Sequence, residues 1–379
     1  MSAKRPVSQS TVQSLSPAEA FETGRRFQAE GKLDEAKRHY GQVLINVPHH
    51  AEALIMLASV GYQQGDDIQA EAYMDRAIGI YRHVVAQMPE NLGVRAPLVN
   101  SLLARDRRDE AEQYVRELKL PLNPIRATPQ VFMQRRKDGI ARGLPPMLIN
   151  TLPKSASESI WNRLAEGLGL AQSHLSLGLF PDCCLVPARL HSASSGGLVA
   201  KEHIPATPFN LQQLAQHGLT KVVFHQRDPR QATLSWAHFV QSDVSMRLMG
   251  PIWRKTVPPA EILRAPFPVL LDWCIDRYLP ITIDFIRGWT ALRDDATQPV
   301  EVLFLTFEQF LAEPERYFSQ ILEFYGIARD AFAAEAEAEV VHLRRGLVDE
   351  WREAFTAAQK ERAWRQIPAE LAEAYGWTR

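Results

Sequence analysis

The 379-residue sequence has few cysteines, no long apolar run and almost no excess of charge of one sign. Its three cysteines are Cys183, Cys184 and Cys274, and no C-x-x-C spacing occurs. Adjacent cysteines are poorly placed to bridge each other, so neither a disulfide framework nor a zinc site is indicated. We therefore expect no metal site and a reducing, cytoplasmic compartment.

The absence of a run of 18 apolar residues argues against a membrane-spanning helix. Residues 1–17 are rich in Ser and Gln and lack the apolar segment of a secretory signal. Lys and Arg total 43 and Asp and Glu total 44, a balance that gives no support for nucleic-acid binding. Any anion site must therefore be local. Hydrophobic residues make up 46%, and the length predicts two or three domains.

The first third of the chain repeats itself. Gly31 and Gly65, like Ala36 and Ala70, are 34 residues apart, which is the period of a tetratricopeptide repeat. A weaker third unit contains Ala111, and its late position predicts that the second helix of unit two is about seven residues longer. We predict an all-α repeat domain over residues 17–122, with an unrelated helical bundle as the alternative.

A proline-rich stretch predicts a linker over residues 123–146. After it, short apolar runs alternate with helical patterns, which is typical of an α/β domain with a mostly parallel sheet, here residues 147–379. The predicted strands lie within 147–153, 197–203, 220–228 and 300–307, and long helices are predicted over 259–296 and 313–327.

The first predicted strand ends in "PKSASES", a small-residue turn that opens a helix. Such a turn can hold a phosphate, because unpaired N–H groups at the helix start face the anion while Lys154 neutralises it. The lysine precedes the turn, so the segment is not a Walker A loop. An ordinary strand-to-helix turn is the alternative.

A second motif, "RDPRQATLS", places Arg227 directly after a strand and Ser235 two turns along the next helix. An arginine at the carboxyl end of a strand and a serine on the following helix can hold one phosphate from two sides. A surface arginine and an unrelated helix serine are the alternative.

These two motifs together resemble the nucleotide motifs of sulfotransferases that use 3′-phosphoadenosine-5′-phosphosulfate (PAPS). "KEHIP" (201–205) resembles the segment with that family's catalytic histidine, and "RRGLVDEWREAFT" (344–356) resembles its C-terminal motif. The resemblance covers residues 147–377 and implies a P-loop-like sulfotransferase domain with PAPS as sulfuryl donor. It says nothing about the repeats.

The resemblance also implies roles for individual residues. His203 would be the general base, Lys154 would support the departing oxygen, and Lys201 would stabilise charge at the transferred group. No metal is required. The implied cofactor contacts come from the turn, from the second motif and from the C-terminal motif: Lys154, Ser155, Ala156, Ser157, Glu158, Ser159, Arg227, Ser235, Arg344, Arg345 and Gly346.

The sequence departs from the family pattern at several of these positions. Ala156 replaces a glycine, which is tolerable if that residue keeps a negative φ. Glu158 replaces a threonine, and we expect it to cap the helix start, with acid/base work as the alternative. Ser159 replaces a tryptophan and Phe307 a tyrosine.

We expect the acceptor to be a hydroxyl on a carbohydrate or glycolipid, with a phenol or small alcohol as the alternative. The repeats would frame the acceptor cleft or bind a protein partner. "REAFTAAQKE" (352–361) resembles the family's dimer motif and predicts a weak homodimer, with a plain helix start as the alternative. Two other classes stay open: a repeat-based adaptor with a non-catalytic nucleotide-binding domain, and a P-loop kinase.

Overall fold

The computed structural model describes residues 15–89, 91–120, 122, 127–293, 295, 297–333 and 347–379. Before the first strand the described chain is helical. The helices of this region are α1 (Pro17–Ala29), α2 (Leu33–Asn46), α3 (Ala51–Gln64), α4 (Asp67–Gln87), α5 (Leu92–Ala104), α6 (Arg108–Arg116) and α7 (Pro129–Ala141).

The rest of the described chain alternates strands with helices. The strands are β1 (Met147–Thr151), β2 (Ala171–Ser173), β3 (Ser176–Leu177), β4 (Cys184–Leu185), β5 (Leu198–Glu202), β6 (Lys221–Gln226) and β7 (Glu301–Thr306). The helices are α8 (Ser157–Leu168), α9 (Pro187–Ala193), α10 (Pro208–Gln216), α11 (Pro229–Ser242), α12 (Val244–Leu248), α13 (Ala260–Arg264), α14 (Phe267–Thr290), α15 (Phe307–Ala312), α16 (Pro314–Tyr325), α17 (Trp351–Ala354), α18 (Ala357–Trp364) and α19 (Ala369–Tyr375).

The main sheet has five parallel strands in the order β2-β5-β1-β6-β7, and β3 and β4 form a separate antiparallel pair. This confirms the predicted α/β class with a parallel sheet. All residues of β1 and β5 are buried, as expected for strands covered on both faces. The carboxyl ends of β1, β5 and β6 lie side by side at one edge of the sheet.

Consecutive helices of the N-terminal region pack against each other at short distance. A Cβ on Gly24 would lie 2.7 Å from the ring of Tyr40, so only glycine allows this contact. Gly31 and Gly65 have nearly the same positive φ, 77° and 79°. Helix α4 has 21 residues and α2 has 14, which confirms the predicted lengthening by two turns. The helical region fits a repeat domain, and the tetratricopeptide assignment stays a prediction.

Two predicted boundaries differ from the structure. The stretch predicted as linker contains α7, which Thr128 caps and Pro129 begins, so this proline starts a helix instead of preventing one. Gly139 of α7 contacts the backbone of Gly197 beside the sheet. The predicted helix over 259–296 is divided into α13 and α14, and Pro266 precedes the second of them.

The helical region and the α/β region share one hydrophobic core. Leu98 and Leu102 of α5 belong to the same buried cluster as Phe209 of α10 and Ile252. Polar contacts join the same two regions: Gln28 Nε2 donates to the carbonyl of Leu248 at 3.4 Å, and other pairs are formed by Arg254 with Asp67, Lys255 with Asp106, and Asn100 with the N–H of Gly178. Among the described residues, no helix is both long and apolar enough to cross a membrane.

Candidate active site

A cavity of about 580 Å³ lies at the carboxyl ends of β1, β5, β6 and β7. It brings together predicted site residues from three distant parts of the sequence: Lys154, Ala156, Ser157, Glu158, Ser159, Lys201, His203, Arg227 and Ser235. Ser155 does not lie on its wall. Arg344, Arg345 and Gly346 are outside the described residues.

The turn after β1 is fastened to the end of β6. The N–H of Leu152 donates to the carbonyl of His225 at 2.9 Å, and His225 Nε2 lies 2.6 Å from the carbonyl of Ser155. Arg227 Nη1 donates to the carbonyl of Lys154 at 3.1 Å. Since C=O and N–H point in opposite directions in a trans peptide, the N–H groups of Ser155 and Ala156 are directed away from β6. The turn thus presents donors suited to an anion.

Two residues of this turn have left-handed backbone conformations. The φ of Lys154 is 68° and that of Ala156 is 64°. The condition under which alanine is easily tolerated at position 156, a negative φ, is therefore not met. The turn must reverse direction within a few residues between β1 and α8, and it does so without the glycine of the family pattern, at a cost on the order of 1–2 kcal/mol per non-glycine residue.

The serines of the turn have different environments. The Ser155 hydroxyl is buried and donates to the carbonyl of Leu152 at 2.5 Å, so its side chain stabilises the turn. Ser157 begins α8 and lines the cavity. The Ser159 hydroxyl is buried beside the cavity and has no hydrogen-bond partner among the described residues. A buried hydroxyl in this position fits a ligand that would supply the partner.

Arg227 is buried at the end of β6, where its guanidinium is held from several sides. Besides the carbonyl of Lys154, it donates to the carbonyl of Leu347, and its planar group lies 3.9 Å from the ring centroid of Phe307. A phenylalanine at position 307 therefore serves as the surface on which this arginine stacks. Ser235, on helix α11, lines the same cavity.

A second arginine holds the C-terminal segment next to this site. Arg230 is fully buried, pairs with Asp228 at 2.6 Å and lies 3.8 Å from the ring centroid of Trp351. It also donates to the carbonyl of Thr378 at 2.7 Å. Because Arg230 is three residues after Arg227, these contacts fix the segment that follows residues 344–346 beside the end of β6.

Lys201 and Glu158 form a part-buried ion pair on the cavity wall. Their Nζ and Oε1 atoms are 2.5 Å apart, and Lys201 also lies 5.4 Å from the ring centroid of Trp161. Glu158 lies in the first turn of α8, and its expected capping role stays a prediction. The carboxylate faces Lys201 because both residues lie at the ends of neighbouring elements around the cavity.

The described part of the cavity is less positive than the sequence predicts. Lys154, whose Nζ lies 4.1 Å from the ring centroid of Phe239, joins Lys201 and Arg227 as the cations on the described wall. Two carboxylates, Glu158 and Glu350, lie on the same wall. The cations and carboxylates of the described wall thus lie around one cavity, with Lys201 paired to Glu158.

His203 directly follows β5 and faces the cavity. Its Nδ1 lies 2.7 Å from the carbonyl of Thr151, which can only accept, so Nδ1 carries the proton and Nε2 the lone pair. Burial and the neighbouring positive charge of Lys201 lower the pKa of His203 from 6.5 to about 3. Burial is the larger cause, and it is a tertiary feature that the sequence does not show.

Other wall residues were not found from the sequence. His174 and Phe180 come from segments without a recognisable motif, and Glu350 lies in the C-terminal motif but was not singled out there. Trp236 is half-buried: it packs against the hydrophobic core, stacked on Tyr278 at 4.7 Å between ring centroids, and it also lies on the cavity wall. Its helical spacing in α11 was the available signal, but that spacing does not separate a core face from a cavity face.

The residues of the proposed dimer motif make contacts within the chain. Arg352 donates to the carbonyl of Arg379 at 2.9 Å, and Thr356 caps α18. Glu361 pairs with Arg365 and Arg379. These contacts stabilise the C-terminal helices, and the homodimer stays a prediction.

The comparisons with known proteins agree with this architecture. Residues 150–373 match the sulfotransferase domain family, and the chain therefore belongs to the sulfotransferase family. No curated protein sequence matches the chain significantly. Among solved structures, a similar one is mouse sulfotransferase SULT7A1 complexed with PAP, at 13% sequence identity and a TM-score of 0.43, covering 67% of this chain and 96% of the mouse chain.

Proposed function

We propose that this protein transfers a sulfuryl group from PAPS to an acceptor hydroxyl, with the cavity at the strand ends as the active site. The observation that carries the proposal is the convergence of Lys154, Arg227 and Ser235 with His203 around one cavity. Two cations placed around a turn whose Ser155 and Ala156 N–H groups point away from β6 suit the two ends of a nucleotide that is phosphorylated on both sides of its ribose. The orphaned hydroxyl of Ser159 supports the same reading.

Bound PAPS would supply an activated sulfuryl group, whose transfer forms a sulfur–oxygen bond to the acceptor and releases adenosine 3′,5′-bisphosphate. His203 Nε2 accepts the proton of the attacking hydroxyl, since this nitrogen carries the lone pair. Lys154 stabilises the negative charge that develops on the leaving phosphate. Arg227, Ser235 and the region of Arg344, Arg345 and Gly346 bind the 3′-phosphate.

The Lys201–Glu158 pair gives the site a feature outside the family pattern. Lys201 Nζ donates to Glu158 Oε1 at 2.5 Å, so the carboxylate holds the ammonium group in place on the cavity wall. We assign Lys201 to charge stabilisation at the transferred group and Glu158 to the positioning of Lys201.

The proposal includes a carbohydrate or glycolipid acceptor, a protein partner for the helical region and a weak homodimer. It also includes a cytoplasmic location, which is supported by three buried cysteines in the free thiol form. A repeat-based adaptor without catalysis would need no base, and the fixed tautomer of His203 favours the enzyme over that alternative.

Ligand-dependent thermal unfolding tests the nucleotide site. Adenosine 3′,5′-bisphosphate at about 100 times its Kd is expected to stabilise the full-length protein by about 2.7 kcal/mol, because it binds the folded state alone. ATP at the same concentration is expected to raise Tm much less, because its phosphates are all on the 5′ side.

The matched control is Arg227→Ala, which is expected to lose most of the bisphosphate-induced rise in Tm. A larger rise with ATP than with the bisphosphate would favour a kinase. An unchanged rise in the Arg227→Ala variant would place the 3′-phosphate elsewhere.

A further inference from the structure

A second cavity of about 770 Å³ lies between the helical region and the α/β region. Its walls come from α3, α4 and α5 on one side and from the 251–261 segment and α14 on the other. Phe180 and Val257 line both this cavity and the active-site cavity. The two cavities are therefore neighbours, and the helical region borders the cavity next to the one that contains His203.

The volumes indicate what the second cavity is for. A cavity of about 580 Å³ is of the size that encloses one drug-sized ligand, and a bound nucleotide donor would fill most of it. Little room then remains beside His203 beyond the reacting group of the acceptor. An acceptor larger than a single ring must extend out of this cavity, and the second cavity adjoins it at Phe180 and Val257.

The charges on the wall of this second cavity are nearly balanced. Five carboxylates and four cations lie on its described wall. Most are already paired across the two regions or within the helices: Arg254 with Asp67 at 2.5 Å, Lys255 with Asp182 at 2.9 Å, and Arg105 with Glu71 at 3.0 Å. A polyanionic or polycationic acceptor would find no surplus of opposite charge here.

The remaining wall combines aromatic and apolar surface with fixed polar groups. Trp253 and Trp273, both half-buried, provide aromatic faces, while the ion pairs provide donors and acceptors in set positions. Among the described residues of this wall none belongs to a β-strand, so the strand-addition mode by which many extended peptides bind is not offered. An uncharged chain rich in hydroxyl groups fits these features best.

We propose that the second cavity is the acceptor-binding groove of this enzyme, and that its occupant is a neutral oligosaccharide whose reacting hydroxyl reaches His203 past Phe180 and Val257. This inference rests on the proposed sulfuryl transfer and adds the acceptor class and the part of the chain that selects it. The helical region then acts as half of a substrate site.

A blocking substitution tests the groove in the full-length protein. Ala104, at the end of α5, lies on the groove wall, and Ala72 lies on an exposed face of α4 outside it. Ala104→Trp is expected to raise the KM for neutral glucose or mannose hexasaccharides at least tenfold in assays with labelled PAPS, and to leave transfer to a small phenol unchanged. Ala72→Trp should change neither value. Trp253→Ala provides a second groove variant if Ala104→Trp fails to fold.

Binding without turnover gives an independent readout. Titration of the unliganded protein with the same hexasaccharides is expected to give saturable changes in tryptophan fluorescence that are lost in the groove variants. Equal binding by Ala104→Trp and Trp253→Ala, or saturable binding only of a heparin hexasaccharide or of a tyrosine-containing peptide, would overturn the groove proposal. Transfer to phenol with no hexasaccharide binding would overturn the groove alone, whereas failure to bind adenosine 3′,5′-bisphosphate would overturn the proposed function itself.

Discussion

At the residue scale, the candidate base is kept neutral by its surroundings. The carbonyl of Thr151 fixes the proton on Nδ1 of His203, and burial beside Lys201 disfavours the imidazolium form. A neutral base is available for the acceptor proton over a wide range of pH, although its low pKa also makes it a weaker base in the absence of bound anions.

His203→Ala is expected to lower kcat by about 10²–10⁴-fold, which is the usual contribution of a general base, while binding of adenosine 3′,5′-bisphosphate stays near wild type. Turnover is measured with labelled PAPS, and binding is measured by the rise in Tm that adenosine 3′,5′-bisphosphate causes. His174→Ala, which removes another imidazole from the same wall, is the matched control and should keep more activity. Unchanged turnover in His203→Ala would exclude it as the base.

The pH profile adds a readout that a purely structural role would not give. The pKa of His203 is lowered from 6.5 to about 3, so the imidazole stays neutral as the pH falls through 6.5. The acid limb of kcat/KM in the wild type should therefore lie well below pH 6.5. An acid limb centred at pH 6.5 would contradict the buried, lysine-facing placement of this residue.

The sequence predicted most of the candidate site, and the reason is chemical. Lys154, Arg227 and His203 stand in short motifs at the ends of apolar runs, and parallel strand ends meet at one edge of a sheet. The Lys201–Glu158 pair could not be predicted, since the two residues are brought together only by the pairing of β1 with β5. The aromatic wall around Phe180 and Trp236 likewise depends on tertiary packing.

At the element scale, the turn between β1 and α8 combines a strained backbone with strong anchoring. Arg227 and His225 hold the carbonyls of Lys154 and Ser155 in place. These contacts maintain the left-handed backbone conformation of Ala156, which is unfavourable for an alanine. His225 and Arg227 lie at the end of β6. The turn between β1 and α8 is therefore positioned together with the arginine that follows β6.

Ala156→Gly is expected to leave the free energy of unfolding unchanged or to raise it by up to about 1 kcal/mol, because relief of the left-handed strain exceeds the entropy lost by glycine. Ala165→Gly in the interior of the same helix α8, where the residue is fully buried, is the matched control and should destabilise by about 1 kcal/mol. Urea denaturation of both variants checks this. If Ala156→Gly lowered the free energy of unfolding as much as Ala165→Gly does, the inference that the backbone at Ala156 is strained would be contradicted.

The main strands were predicted within one or two residues, because each is a short apolar run next to a helical pattern. β2, β3 and β4 have only two or three residues. An apolar pattern of that length is not distinctive, so these strands could not be predicted from the sequence. Proline was the least informative signal. Pro129 begins a helix, Pro266 precedes one, and Pro280 lies inside α14.

At the scale of the whole molecule, the helical region is part of the structural core of the protein. Ile252 of the α/β region packs in the same buried cluster as Leu98, Leu102 and Phe209. Such a shared apolar interface should make the two regions unfold together.

Calorimetry is expected to show one main unfolding transition. Ile252 is 4% exposed in the wild type. The substitution Ile252→Ala is therefore expected to lower the free energy of unfolding by about 2–5 kcal/mol. Ile45→Ala removes the same atoms from a side chain that is 80% exposed, and should stay within about 0.5 kcal/mol of wild type. Two well-separated transitions in the wild type, with Ile252→Ala affecting only one of them, would contradict the shared core.

The common wall formed by Phe180 and Val257 has a practical consequence for redesign. The chemistry depends on groups at the strand ends, whereas the width of the neighbouring space depends on where α3, α4 and α5 lie relative to α14. Substitutions in those three helices can therefore retune selectivity while the reacting groups keep their positions, so a library confined to residues 51–104 would be a compact starting point for directed evolution.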